Sequence, residues 1–418
     1  MNRILLFLFL PAALFSQKSL TVFDCFNRMD SVFPTVIIDD YYNQQMEILR
    51  KKINSAWYPA INLNAQTTYQ SDVTKLDIEF PPAFNIDMEE PDKDQYKVSL
   101  DINQVIYDGG KYSSLKEIES INSEINKQNN KIELYKYKLQ ISDIFFGIIK
   151  MKKTRSILEI SSGEINAQLK ILESGIKNGI ITESSLDELK AELLKLEQNI
   201  AEIESNLNSF YSILNTLLDT QISDSTEFTL PSSFSENAEN SRPEYKLFEL
   251  NKQKLDISSE LLQKNHYPVL FGFGQLGYGK PGLNMFKDEF EPYYIIGAKF
   301  TWNFWDWNRT KYDRQILETN KLIIESQSEA FDKNIQSALL KENANKEKFE
   351  TALATDSEII KLREKITKNS SVQLQNGVLR ATDYLSDLNK ESIAKINFEI
   401  HKIELVQSQV NYKIIQGI

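Results

Sequence analysis

One pattern of residues occurs twice along this chain, and any fold must accommodate both copies. "YPAINLNAQTTY" (58–69) and "YPVLFGFGQLGY" (267–278) share Tyr, Pro, Gln and Tyr at the same relative places, 209 residues apart. The same spacing pairs Pro34 with Pro243. "YKVSLDINQVIYDGGK" (96–111) lines up with "YIIGAKFTWNFWDWNR" (294–309) at a spacing of 198, which also pairs Asn178-Gly179 with Asn376-Gly377. The second copy is therefore shorter between its paired strands. Repeats of this length decide an architecture before any local propensity does. The chain divides into a first repeat over 17–225, a polar linker over 226–242 and a second repeat over 243–418. The joint is rich in Ser, Thr and Pro, as a linker should be.

Each copy carries the same order: helix, strand, loop, strand, very long helix, Gly turn, returning helix. The strands are expected at about 60–70, 96–107, 268–278 and 294–305. In the first, Ile61, Leu63, Ala65, Thr67 and Tyr69 alternate with Asn62, Asn64, Gln66 and Thr68. In the last, Ile296, Ala298, Phe300, Trp302 and Phe304 alternate with Gly297, Lys299, Thr301 and Asn303. A period of two with one apolar and one polar face fits a half-buried strand, and equally a barrel strand with lipid outside and water inside. The strand at 269–278 is less regular, because Phe271 and Phe273 fall on its polar face. Long helices are expected over about 110–176 and 308–375, with returning helices over 183–218 and 381–415. Ile118, Ile125, Ile132, Leu139 and Phe146 recur every seven residues, and Leu317, Ile324, Phe331, Ala338, Ala352, Ile359 and Ile366 follow the same period. One apolar seam with polar flanks predicts an extended helical bundle. "KNGIITES" (177–184) and "QNGVLRAT" (375–382) supply the Asn-Gly that a left-handed helix cap favours.

Composition narrows the chemistry. Residues 1–16, MNRILLFLFLPAALFS, read as a secretory signal, with Arg3 before an apolar run and small residues before Gln17. No later stretch approaches the roughly 20 apolar residues of a transmembrane helix. The net charge of −11 argues against a nucleic-acid partner, which requires a basic face. One cysteine excludes an intramolecular disulfide, and Cys25 reads as a small buried residue. His266 and His401, far apart and flanked by Lys or Asn, read as surface residues. "GFGQLG" (272–277) satisfies a dinucleotide-binding spacing, but Pro281 follows and no helix begins there, so glycines in a closely packed strand are the better account. No catalytic set, cofactor site or metal site emerges, and the chain is not expected to be an enzyme.

Two further groups stand out. Asp383 and Asp387, four apart just beyond the second Gly turn, share a helical face and would form an acidic ring if copies of the chain surrounded an axis. Trp302, Trp305 and Trp307 cluster where strand gives way to helix. Tyr107 holds the place of Trp305 in the first copy, while Tyr58 and Tyr267 precede the neighbouring strands. Aromatic residues at matched places in both copies predict a membrane-interface belt. A long acidic loop over 70–95 and its shorter counterpart over 279–293 lie on one side of the strand pairs, an asymmetry found in outer-membrane barrels.

These residues together resemble the TolC family of outer-membrane efflux proteins over essentially the whole chain after the signal. The resemblance is carried by the duplication, the junctions "QVIYDGGK" and "WNFWDWNR", "RPEY" at 242–245, "YP" before each first strand and the two "NG" turns. It implies a mainly α fold with a membrane β-barrel part: a homotrimer whose four strands per chain close a twelve-stranded barrel, continued by a periplasmic α-helical coiled-coil tunnel. It further implies an exit duct in the outer membrane of a Gram-negative bacterium, serving a tripartite efflux or type I secretion system with an inner-membrane pump. Asn178, Gly179 and Ile180, with Asn376, Gly377 and Val378, would be the tips that meet a periplasmic adaptor. Asp383 matches one gate acid of the family; the second falls at Ser386 here, with Asp387 next along. A coiled-coil adaptor or structural protein without a pore is the alternative reading, which accounts for the helices but leaves the amphipathic strands unexplained.

Overall fold

The computed structural model describes residues 19–74, 92–177, 183–231 and 241–418. The expected signal and the turn residues Asn178, Gly179 and Ile180 lie outside them. Among the described residues, seven α-helices and four strands follow in the order α1 (Val22–Val32), α2 (Ile38–Ser55), β1 (Ala60–Tyr69), β2 (Asp94–Tyr107), α3 (Lys111–Lys177), α4 (Glu183–Leu218), α5 (Pro243–Lys264), β3 (Val269–Lys280), β4 (Glu291–Thr301), α6 (Arg309–Gln375) and α7 (Ala381–Gln416). The duplication extends to the helix limits. The 198-residue spacing carries α3 onto α6, each of 67 residues, and α4 onto α7, each of 36.

The chain forms two compact units. One comprises Asp39–Asn129 and Lys246–Ser328 and contains the whole sheet. Its strands pair antiparallel in sequence order, β1-β2-β3-β4, leaving β1 and β4 as edges. Register follows the hydrophobic pattern, since residues directly opposite share a face. Ile61 faces Ile102 and Leu63 faces Leu100; Leu100 in turn faces Leu276, and Leu276 faces Tyr294. β4 stops at Thr301, short of the expected 305. Its last partner is Val269, the first residue of β3, and Pro268 before it has no N–H with which to extend the ladder.

The other unit comprises residues up to Ile38, Asn130–Tyr245 and Glu329–Ile418. Its larger core joins α1 (Val22, Cys25, Met29), α3 (Ile141, Phe145, Ile148), α4 (Leu207, Leu214, Leu218) and α7 (Ile403, Val410, Ile414). α1 opens with a capping box: Asp24 N donates to Thr21 Oγ1 at 3.2 Å and Thr21 N to Asp24 Oδ2 at 2.9 Å. Cys25 is fully buried on that helix, and burial pushes its thiol up to about 12. The segment after α4 is fastened to this core. Arg155 Nη2 donates to both oxygens of Asp224 at 3.0 Å, Tyr211 Oη donates to Asp224 at 3.1 Å, and Leu20 N donates to Glu227 O at 2.8 Å. A second core joins Ile165 and Leu172 of α3 to Leu189 of α4, Leu374 of α6 and Tyr384 and Leu388 of α7. The seven-residue stripe is only partly buried in one chain: Phe146 is fully covered, whereas Leu139, Ile359 and Ile366 remain exposed.

Candidate functional site

The sheet presents two chemically distinct walls. On one face stand Ile61, Leu63, Val98, Leu276, Tyr294, Ile296 and Phe300, all exposed, with Ile296 at 80 %. On the other, Asn62 faces Asp101 and Asp101 faces Gln275, while Asn64 faces Ser99. Asp101 accepts hydrogen bonds from Asn64 and Gln275 and from Ser99 Oγ at 3.2 Å. Phe271 and Phe273 do lie on this polar wall, opposite Val105 and Asn103. Glycines across the ladder make room for the aromatics. A Cβ at Gly297 would lie 2.5 Å from Phe273 Cζ, and one at Gly277 would lie 2.1 Å from Tyr293 Cζ. The rings therefore lie down across the sheet instead of standing away from it.

Below the strands, both long helices begin in the same way. Asp108 Oδ1 accepts from Gly110 N at 2.8 Å and Oδ2 from Tyr112 N at 2.6 Å; Asp306 Oδ2 accepts from Thr310 N at 2.8 Å. Each carboxylate satisfies an N–H that the first helical turn leaves without a partner. The hydrogen bonds from Thr310 hold the Asp306 carboxyl below the usual range, and the nearby His266 adds to the effect. His266 is not a free surface residue. Its Nε2 lies 2.9 Å from Thr310 Oγ1 and 3.1 Å from Asp306 Oδ2, and its Nδ1 lies 3.2 Å from Asn303 O. His401 likewise sits 2.7 Å from Oδ2 of the buried Asp356. These partners lie 37 to 45 residues away, out of reach of a local pattern.

The aromatic residues gather around these junctions. Tyr58 and Tyr267 lie in the turns before β1 and β3, and Tyr107 ends β2; all three are exposed. Trp302 lies one residue beyond β4, its Nε1 donating to His266 O at 2.8 Å, with its ring 5.9 Å from Phe304. Trp305 and Trp307 meet edge to face at 5.7 Å and are 63 % and 81 % exposed.

At the far end of α6, Gly377 takes φ 71°, so Gly377 N reaches Leu374 O at 3.0 Å and Val378 N reaches Gln373 O at 2.9 Å. This closes the helix through a left-handed cap. Asn376 Nδ2 donates to Val372 O at 2.8 Å, and Val378 is 77 % exposed. Asp383 pairs with Arg380 at 3.1 Å, whereas Asp387 accepts from Ser370 Oγ at 2.5 Å. Within one chain the two acids are thus held by separate partners. A polar layer lies farther along α7: Ser161 and Ser392 hydroxyls approach to 2.7 Å, and Lys395 bridges Glu391 at 2.5 Å and Glu364 at 3.2 Å. Burial, then the charge of Glu391, raises the carboxyl of Glu164 beside it. Among the described residues no group of three metal-ligating side chains occurs, and no helix is long and apolar enough to cross a membrane.

A sheet with one apolar and one polar wall, in a chain with two 67-residue helices, is an arrangement that solved structures share. No protein-family model and no curated protein sequence matches the chain. The chain has the fold of TolC-type outer-membrane channels. It superposes on the outer membrane protein VceC of Vibrio cholerae over 95% of this chain and 96% of that one, at 11% identity and TM-score 0.66. The CmeC outer membrane channel of Campylobacter jejuni matches over 95% and 85%, at 13% identity and TM-score 0.65. The MtrE channel of Neisseria gonorrhoeae, solved in its open state, matches over 95% and 89%, at 12% identity and TM-score 0.65.

Proposed function

We propose that this chain is an exit duct in the outer membrane of a Gram-negative bacterium, passing substrates from an inner-membrane pump and a periplasmic adaptor to the exterior. The observation that carries this reading is the four-stranded sheet. An apolar wall exposed to this extent needs lipid against it, and a polar wall of Asn, Gln, Ser and Asp needs water. Four strands with two open edges cannot enclose a lumen, so three chains supply twelve. The exposed apolar residues of α6, Ile359, Leu362 and Ile366, give copies of the chain a further surface to cover. In this reading residues 1–16 direct export, and Tyr58, Tyr107, Tyr267, Trp302, Trp305 and Trp307 sit at the periplasmic interface, where indole and phenol rings favour the headgroup region. Residues 178–180 and the turn at 376–378 dock the adaptor. Asp383 and Asp387 line the constriction, released from Arg380 and Ser370 or shared with them as the helices move.

The test is reconstitution of the purified protein in planar bilayers. A heat-modifiable trimer that conducts ions is expected; a stable, detergent-free monomer without conductance would overturn the proposal. Replacing Asp383 and Asp387 together with Ala should raise conductance and weaken block by multivalent cations. Unchanged conductance would remove both residues from the constriction.

A further inference from the structure

Phe271, Phe273 and Tyr293 have no place in a wall built only to hold water, and Phe273 is a diagonal neighbour of Asp101 on that wall. We propose that the polar wall of the sheet carries a binding station for amphipathic organic cations, made by Asp101 and Phe273; this rests on the channel reading above.

The register sets the geometry. Asp101 and Gln275 are directly opposed, and Phe273, two residues before Gln275, opposes Asn103, two residues beyond Asp101. Carboxylate and ring are thus diagonal neighbours on one face, a separation that long and aromatic side chains reach across. Together with Asn64, Asn103 and Gln275 they line one shallow depression of about 600 Å³. The donors to Asp101, from Asn64, Ser99 and Gln275, are all neutral, so they fix the orientation of the carboxylate without cancelling its charge. The nearest cation along the strand, Lys97, acts on Asp101 only through its charge at a distance, its Nζ standing 5.5 Å from the centroid of the Tyr293 ring. That contact is itself an example of a cation on an aromatic of this wall. Phe273 lies across Gly297, which keeps its ring against the sheet and the depression open.

A carboxylate beside an aromatic ring, in a recess lined by amides, suits a quaternary or protonated amine attached to an apolar body. The charge meets Asp101, and the body or the charge meets the ring. Small inorganic cations gain only the first contact, and organic anions are repelled. Three copies around a lumen would place three such stations at one level, holding cations weakly enough to release them outward.

The test uses the full-length protein in planar bilayers bathed in KCl. Benzyltrimethylammonium should block the current at lower concentration than tetramethylammonium, and benzenesulfonate should not block in this range. Asp101→Asn and Phe273→Leu should each raise the half-blocking concentration by roughly fivefold, the scale of one exposed ion pair or cation–ring contact. Because Asp101→Asn could disturb the three hydrogen bonds, Phe273→Leu, which keeps the glycine covered, stands as an independent variant. Equal block by benzenesulfonate and benzyltrimethylammonium in the parent overturns the station without recourse to any variant. So does block that neither variant weakens. A parent protein that conducts nothing overturns the channel reading itself, a distinguishable result.

Discussion

The two strand-to-helix junctions share a backbone and differ in what holds it. In the first copy Asp108 is followed by Gly109 and Gly110, at φ 71° and 84°; in the second Asp306 is followed by Trp307 and Asn308, at φ 56° and 63°. Glycine enters this left-handed region freely, whereas a residue with a Cβ does so at a steric cost, and a tryptophan is among the least expected there. The contacts over the junction differ as well. At matched places, the first copy sets Trp57 edge to face against Tyr112 at 5.4 Å, and the second sets His266 against Thr310 and Asp306. One junction is closed by glycines and an aromatic pair, the other by a charged and hydrogen-bonded cluster. Duplicated backbone geometry has outlasted the side chains that support it.

The largest expected effect separates the two backbones. Gly109 combines a positive φ with close approach, since an added Cβ would lie 2.8 Å from Tyr267 Cβ. Gly109→Val should therefore cost about 2–4 kcal/mol, read as a lowered unfolding temperature in detergent. A variant as stable as the parent would mean that the first junction tolerates side chains as the second does. Next in size is the cap. Asp108→Ala should cost about 1–2 kcal/mol in the same measurement, because two N–H groups lose their acceptor. No loss would show that Gly110 and Tyr112 are satisfied without it.

A third effect depends on pH and belongs to the second copy. The Asp306 carboxyl lies below its usual range because of hydrogen bonds from Thr310, with His266 assisting. A depressed folded-state value means that the stabilisation is complete above the ordinary carboxylate range. It is lost as pH falls through the depressed value. Asp306→Ala should thus lower the unfolding temperature at neutral pH and flatten its decline on the acid side. Parallel acid limbs in parent and variant would break the assignment.

How much of this was legible from the residues depends on the range over which each contact acts. The duplication could be read because matched motifs recur at fixed spacing, and the same 198-residue spacing carries both limits of α3 onto α6 and of α4 onto α7. The two faces of β1 could be read because alternation is local. Phe271 and Phe273 looked misplaced because what accommodates Phe273, Gly297, lies across the ladder on another strand. His266 and His401 looked like surface residues because Asp306 and Asp356 approach only after folding. The end of β4 departs from its sequence pattern for a related reason. Trp302 and Phe304 continue the alternation, yet β3 offers no residue beyond Val269 for them to pair with.

The smallest effect asks why the second copy keeps a tryptophan where glycine would relax the backbone. Trp307→Gly removes the strain of φ 56° and should stabilise the junction by up to about 1 kcal/mol in detergent. The indole contributes little to packing within the chain, being 81 % exposed, with Trp305 its ring partner among the described residues. In a lipid bilayer the same substitution also removes an interfacial anchor, so the gain should shrink or reverse. Unfolding temperatures of parent and variant, compared in micelles and in liposomes, separate the two contributions. A gain of equal size in both would mean that lipid is not what Trp307 serves. A gain confined to micelles would mean that the strained backbone of the second copy is retained for its contact with the membrane.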